Sequence, residues 1–118
     1  MCVRVNRNGS AQIIRLETDM VMESDVNTVK ETVDQALAAG IKEFVLSVSI
    51  GSLTNRRIIS QLLHWSRETI WRKDGELLFL EKNNGTESIF GPLCESLNIP
   101  MFQNIDTALV ETSKAVRV

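Results

Sequence analysis

Two adjacent arginines are the residues whose type and position most clearly suggest chemistry. Arg56 and Arg57 follow Asn55 at the predicted start of a long helix. Cations at that end oppose the helix dipole, at a cost of a few tenths to about 1 kcal/mol each. Because the free amide groups of a helix N-terminus favour negative charge, the pair indicates a site for an anion or an acidic partner. The alternative interpretation is two solvated arginines.

A single histidine is the only imidazole available for acid–base or nucleophilic catalysis. His64 lies four residues after Ser60 and four residues before Glu68 in the same predicted helix. That spacing allows either pair to be in contact. A Ser–His pair on one helix has neither an orienting acid nor an oxyanion site, so a solvated histidine is the favoured interpretation. We expect no enzyme activity and no catalytic residue.

The same helix carries a tryptophan on its outward side. Its apolar arc comprises Ile58, Ile59, Leu62, Leu63, Ser66 and Ile70, with Trp65 at the border. Ser60, His64, Arg67 and Trp71 lie opposite that arc. Arg67 can stack on Trp71, four residues further on. Trp71 either contacts a partner or folds back against the following turn or strand, and the sequence leaves both open.

Composition limits the classes of function. The chain has 118 residues, with 13 Lys and Arg against 15 Asp and Glu, which predicts one domain over residues 1–118 and argues against a nucleic-acid binder. Cys2 and Cys94 have no metal-ligand spacing, so we expect reduced thiols, no metal site and no cofactor. No secretory signal or membrane-spanning stretch is visible. The expected location is therefore the cytoplasm, without membrane insertion.

The elements that must position these residues follow the order β-β-α-β-α-β-α-β-α. The first two strands form a hairpin around Asn8-Gly9. A helix starting near Ser24 ends at Gly40, and a buried strand covers residues 43–50. The remaining predictions are a helix over 55–72, a strand over 76–80, a helix over 86–97 interrupted at Pro92, a strand over 99–102 and a helix over 105–114. This predicts an α/β fold with a mixed, mainly parallel sheet, an N-terminal β-hairpin and about four helices.

Six segments that together span nearly the whole chain carry a resemblance to a known family: residues 11–18, 28–40, 44–49, 74–80, 87–97 and 100–108. Taken in order, they resemble the STAS domain, the fold of bacterial anti-sigma factor antagonists and of sulfate-transporter cytoplasmic domains. The family carries an Asp-Ser-Ser/Thr-Gly motif at the start of its long helix. Its first Ser is phosphorylated by a partner kinase, which is also the anti-sigma factor.

The sequence departs from the family at that motif. Asn55 stands at the Asp position, Arg56 at the phospho-acceptor position and Ile58 at the Gly position, while Val21 takes a second acidic position. Arg56 has no hydroxyl group and cannot accept phosphate. Ser52, Thr54 and Ser60 are the nearby hydroxyl groups, and a phosphate on Thr54 would find Arg56 and Arg57 beside it.

The resemblance implies a non-catalytic bacterial regulatory protein, similar to an anti-sigma factor antagonist. It would bind an anti-sigma factor, a related kinase or a component of a sensory complex. The alternative is a STAS module that binds an anion, nucleotide or lipid and belongs to a transporter or sensory complex. A homodimer through Trp71 or the edge hairpin is also compatible with the sequence. The expected partner-binding residues are Ser52, Thr54, Asn55, Arg56, Arg57, Ser60, His64 and Trp71.

Overall fold

The computed structural model describes residues 3–17, 21–51, 54–82 and 88–102. Within these ranges the chain forms five strands and three helices. The strands are β1 (Val3–Asn8), β2 (Ala11–Leu16), β3 (Glu43–Ser49), β4 (Glu76–Lys82) and β5 (Met101–Phe102). The helices are α1 (Glu23–Ala38), α2 (Arg56–Arg72) and α3 (Gly91–Ser96). The predicted α/β class is confirmed. The fourth predicted helix, over residues 105–114, lies outside the described residues.

The strands form one mixed sheet in the order β1-β2-β3-β4-β5. β1 is antiparallel to β2, and the other three neighbouring pairs are parallel. Crossovers between parallel strands are right-handed almost without exception, and with this strand order they place all three described helices on one face of the sheet. The antiparallel pairing of β1 with β2 confirms the predicted hairpin at the edge of a mainly parallel sheet.

The main hydrophobic core lies between the sheet and these helices. Val29 of α1, Leu62 and Leu63 of α2, and Phe79 of β4 are all fully buried there. A smaller cluster on the other face contains Ile13, Val45, Leu78 and Leu80. Because β3 and β4 are buried on both faces, their sequences are continuous apolar runs rather than alternating ones. That pattern is why residues 43–50 were predictable as a buried strand.

The hairpin turn lies one residue later than predicted. Asn8 is still paired with Ala11 in the strand ladder, so the turn consists of Gly9 and Ser10. Gly9 has a φ of +61°, a conformation that costs glycine little. This register places Val3 opposite Leu16, with both side chains buried in the main core.

The first helix begins before Ser24, so the prediction of Ser24 as its N-cap is wrong. The N-cap is Met22, whose amide donates to the Asp25 carboxylate at 2.8 Å. A carboxylate at this position can accept a hydrogen bond from the cap amide, and its negative charge is stabilised by the helix dipole. Gly40, with a φ of +90°, ends the helix as predicted.

The third helix is shorter than the predicted span 86–97. Pro92 lies in the first turn of the six-residue α3, and residues 88–90 are not helical. The Glu81 carboxylate accepts hydrogen bonds from the amides of Ile89 and Phe90, at 3.0 and 2.8 Å. These bonds hold that segment, and Pro92 favours a helix start there, so α3 begins at Gly91.

No helix in the described part of the chain is both long enough and apolar enough to cross a membrane.

Candidate docking surface

The predicted site residues are distributed along α2 and the loop before it. One side of α2 carries the predicted residues Arg56, Arg57, Ser60, His64 and Trp71. The opposite side of the helix packs into the main core through Ile59, Leu62, Leu63, Ser66 and Ile70, all buried. The predicted apolar arc is thus confirmed, with Ile58 half-buried at its edge.

The start of α2 is fixed by an asparagine side chain. Asn55 Oδ1 accepts hydrogen bonds from the amides of Arg57 and Ile58, at 3.1 and 3.2 Å. Asparagine is among the best N-cap residues because it satisfies amides that the helix leaves free. The cap already occupies two of the amide groups that an anion would otherwise use.

Arg56 and Arg57 are exposed on the first turn that this cap creates. That turn contains no acidic side chain. Among the described residues, neither guanidinium group forms an ion pair. Both charges therefore face solvent at the carboxyl-terminal edge of the parallel sheet, where the chain passes from β3 into α2.

The loop before α2 is closed by Thr54. Its hydroxyl accepts a hydrogen bond from the Gly51 amide at 2.8 Å, and its own amide donates to the Gly51 carbonyl at 3.2 Å. Thr54 is half-buried. Ser52, the other predicted hydroxyl group in this loop, lies outside the described residues. The engaged Thr54 hydroxyl stabilises the turn that delivers Asn55 to the helix.

His64 is exposed midway along α2. It lies at a shallow depression of about 550 Å³ that Gln61, Trp65 and Glu68 also line. Among the described residues it bonds neither to Ser60 nor to Glu68, and Glu68 instead pairs with Arg72 at 3.2 Å. His64 and Glu68 therefore share this depression, while the Glu68 carboxylate pairs with the arginine one turn further on. Ser60 is half-buried rather than fully outward.

Trp71 packs beside the turn that follows α2, and part of its ring stays exposed; contact with a partner stays a prediction. Its side chain is 43% exposed, yet it also walls a small cavity against Gly75 and Pro100. The predicted stacking is confirmed, since the Arg67 guanidinium carbon lies 3.9 Å from the indole ring centroid.

A contact that the sequence did not reveal holds Arg67 in place. Its Nε donates to the backbone carbonyl of Leu97 at 2.5 Å, so one arginine joins α2 to the end of α3. A second cation lies near the other tryptophan, with Lys30 Nζ of α1 at 5.4 Å from the Trp65 ring. No local pattern signals either contact, because the partners are far apart in the chain.

The described thiol is not a reactive one. Cys94 is buried and free, and burial raises its pKa to about 12, with a further contribution from the negative charge of Glu81. Cys2 lies outside the described residues. Within the described ranges, no group of three or more His, Cys, Asp or Glu side chains is arranged to hold a metal ion.

Comparison with protein-family models finds no match for this chain, and comparison with curated proteins finds none either.

Proposed function

We propose that this protein is a non-catalytic regulatory module, similar to an anti-sigma factor antagonist, that binds a protein partner through the start of α2. The observation that carries the proposal is the position of Arg56 and Arg57. Both are exposed and unpaired among the described residues, on a helix turn that a side-chain cap holds in a fixed geometry. Such a module would act in the bacterial cytoplasm.

The order of the elements supports this proposal. A hairpin, a mainly parallel sheet and a long helix after β3 agree with the arrangement expected from the STAS resemblance. At the position of the STAS motif, Arg56 stands where the family has the serine that a partner kinase modifies. A phosphoserine switch places about two negative charges at the interface, whereas Arg56 places a permanent positive charge there.

The partner should present carboxylates or phosphates. A guanidinium group offers a planar set of donors that matches a carboxylate or phosphate with two parallel hydrogen bonds. Two adjacent arginines therefore suit an acidic or phosphorylated protein surface. If phosphorylation regulates the complex, this charge pattern favours the partner as the modified component.

The described geometry favours a protein partner over the alternative of a free anion, nucleotide or lipid headgroup. A small anion at a helix start is usually held by backbone amides together with side chains. Here Asn55 occupies the amides of Arg57 and Ile58. Two exposed guanidinium groups on one helix turn suit a broad acidic surface better than a small ligand.

Charge reversal tests this proposal. The double variant Arg56→Glu/Arg57→Glu should lose a partner that the wild-type protein captures from its native cell. Arg72→Glu/Lys73→Glu is the matched control, because it makes the same change in net charge at the opposite end of α2. Thermal denaturation checks that both variants remain folded. Equal capture by the wild type and by the Arg56→Glu/Arg57→Glu variant would contradict the proposal.

A further inference from the structure

A second surface lies at the other end of α2, away from Arg56 and Arg57. A cavity of about 260 Å³ opens beside Trp71, with Glu76, Leu77, Asn98 and Pro100 among its lining residues. Since a 17-residue helix is about 25 Å long, this cavity is well separated from the start of α2. Pockets for drug-sized ligands are usually larger, about 300–1,000 Å³. Its size suits a single side chain of a partner.

The cavity lies where β5 begins part of the way along β4. Met101 and Phe102 pair with Phe79 and Leu80, so within the described residues the start of β4 has no strand partner on that side. The Phe79 amide donates to Pro100 on the β5 side, at 2.9 Å. Backbone groups alternate in direction along a strand, so the amide and carbonyl of Leu77 face the same side, towards the cavity.

The aromatic wall of the cavity is held rigidly. Arg67 stacks on Trp71, and the hydrogen bond from Arg67 to Leu97 anchors the stack to α3. A partner would therefore bind to an indole that is already positioned. Because this side chain need not be ordered on binding, the entropy cost of binding is lower. Partly exposed tryptophans dominate the energetics of many protein interfaces.

The nearby cation Arg67 stacks on Trp71, and Glu76 is the one charged side chain among the described residues that line the cavity. Glu76, which lines it, is in register with Glu43 on the neighbouring strand β3. Glu43 accepts a hydrogen bond from Ser10 at 2.6 Å, and Glu76 is exposed. Neither carboxylate forms an ion pair within the described part of the chain. Like charges side by side in a sheet repel each other, and a cation from a partner would relieve that repulsion.

We propose that this surface docks a basic segment of a partner protein. An apolar side chain of the segment fills the cavity against Trp71 and Pro100. A neighbouring lysine or arginine pairs with Glu76 and Glu43, and the peptide backbone reaches the amide and carbonyl of Leu77. The protein then has two docking sites, one at each end of α2. Arg56 and Arg57 bind an acidic surface of a partner, whereas Trp71 and Glu76 bind a basic segment of a partner.

Peptide titration followed by NMR tests this proposal. The probes are the capped peptides acetyl-Gly-Lys-Leu-Lys-Gly-amide and acetyl-Gly-Glu-Leu-Glu-Gly-amide, each added to the ¹⁵N-labelled 118-residue chain. The basic peptide should shift the Trp71 indole and Leu77 amide resonances in a saturable way, and added salt should weaken binding. The acidic peptide should leave both resonances in place.

Glu76→Gln is the test variant and Glu31→Gln the control, since Glu31 is an exposed carboxylate on α1 and both changes remove one negative charge. Glu76→Gln should weaken binding of the basic peptide by roughly two- to fivefold, as expected for an exposed ion pair. Glu31→Gln should bind like the wild type. The proposal is overturned if neither resonance shifts, if both peptides shift them equally, or if Glu76→Gln binds as tightly as Glu31→Gln.

Discussion

The guanidinium carbon of Arg67 lies 3.9 Å from the ring centroid of Trp71, and Arg67 also donates to the carbonyl of Leu97. One side chain thus fixes an exposed aromatic ring and joins two helices. A cation–π contact contributes about 0.5–1 kcal/mol at exposed sites. A hydrogen bond from a charged group contributes about 1.5–3 kcal/mol.

Replacing Arg67 should therefore destabilise the protein. We expect Arg67→Ala to lower the free energy of unfolding by about 2–4 kcal/mol in urea denaturation, because both contacts are lost together. Arg72→Ala is the control, since the one ion pair that Arg72 makes among the described residues is an exposed pair with Glu68. Its loss should cost less than about 1 kcal/mol. Equal losses for the two variants would show that the link to Leu97 contributes little.

Removing the N-cap of α2 should weaken the element that presents Arg56 and Arg57. Asn55→Ala leaves the amides of Arg57 and Ile58 without their partner, and we expect a loss of about 1 kcal/mol in the free energy of unfolding. Asn55→Asp keeps an acceptor oxygen and adds a charge that the helix dipole favours, so it should be at least as stable as the wild type. Chemical denaturation of the three proteins measures the difference. A destabilising Asn55→Asp together with a neutral Asn55→Ala would rule out this role for the cap.

Ser66 offers a substitution that should be neutral or stabilising. Its hydroxyl oxygen is buried in the core without a hydrogen-bond partner among the described residues. A buried unsatisfied polar group costs about 1–3 kcal/mol, and alanine has a better helix propensity than serine. We expect Ser66→Ala to raise the melting temperature. A clear decrease would mean that the hydroxyl has a partner in solution, such as a water molecule.

The raised pKa of Cys94 predicts a decrease in stability at high pH. The thiol has an ordinary pKa of 9.0 and a pKa of about 12 in the folded protein. Between these values the unfolded chain loses the proton and the folded chain keeps it, so the stability decreases as pH rises through that window, by up to about 1.4 kcal/mol per pH unit. Urea denaturation between pH 8 and pH 11, in a Cys2→Ser background, measures this effect.

Cys94→Ala is the comparison for that experiment, since it removes the titrating group. The decrease above about pH 9 should become smaller in this variant. Identical pH profiles for the two proteins would show that Cys94 is not the group responsible. A second readout is thiol labelling, because a thiol with so high a pKa should react slowly while the protein is folded.

Elements with a strong local pattern were predictable from the sequence. The apolar residues of α2 recur at helical spacing, and β3 is a continuous apolar run, so both elements lie where the sequence places them. The start of α1 was mispredicted because the N-cap preference for Ser24 was outweighed by the bond from Met22 to Asp25. The start of α3 depends on Glu81, a residue on another element.

The candidate sites were predictable only where one helix carries both partners. The Arg67–Trp71 stack follows from a spacing of four residues, as expected on one helix face. The bond from Arg67 to Leu97 joins residues far apart in the sequence. The cavity at Trp71 depends on where β5 begins beside β4. Both features come from tertiary packing, which composition and periodicity do not encode.

The proposed role of Arg56 and Arg57 is tested most directly by the dissociation constant of the partner. Calorimetric titration of the purified partner into the wild type and into Arg56→Glu/Arg57→Glu gives the ratio of the two constants. We expect the double variant to bind at least about tenfold more weakly, a difference of about 1.4 kcal/mol, while its melting temperature stays close to that of the wild type. Dissociation constants that agree within about twofold, with both proteins folded, would contradict the account.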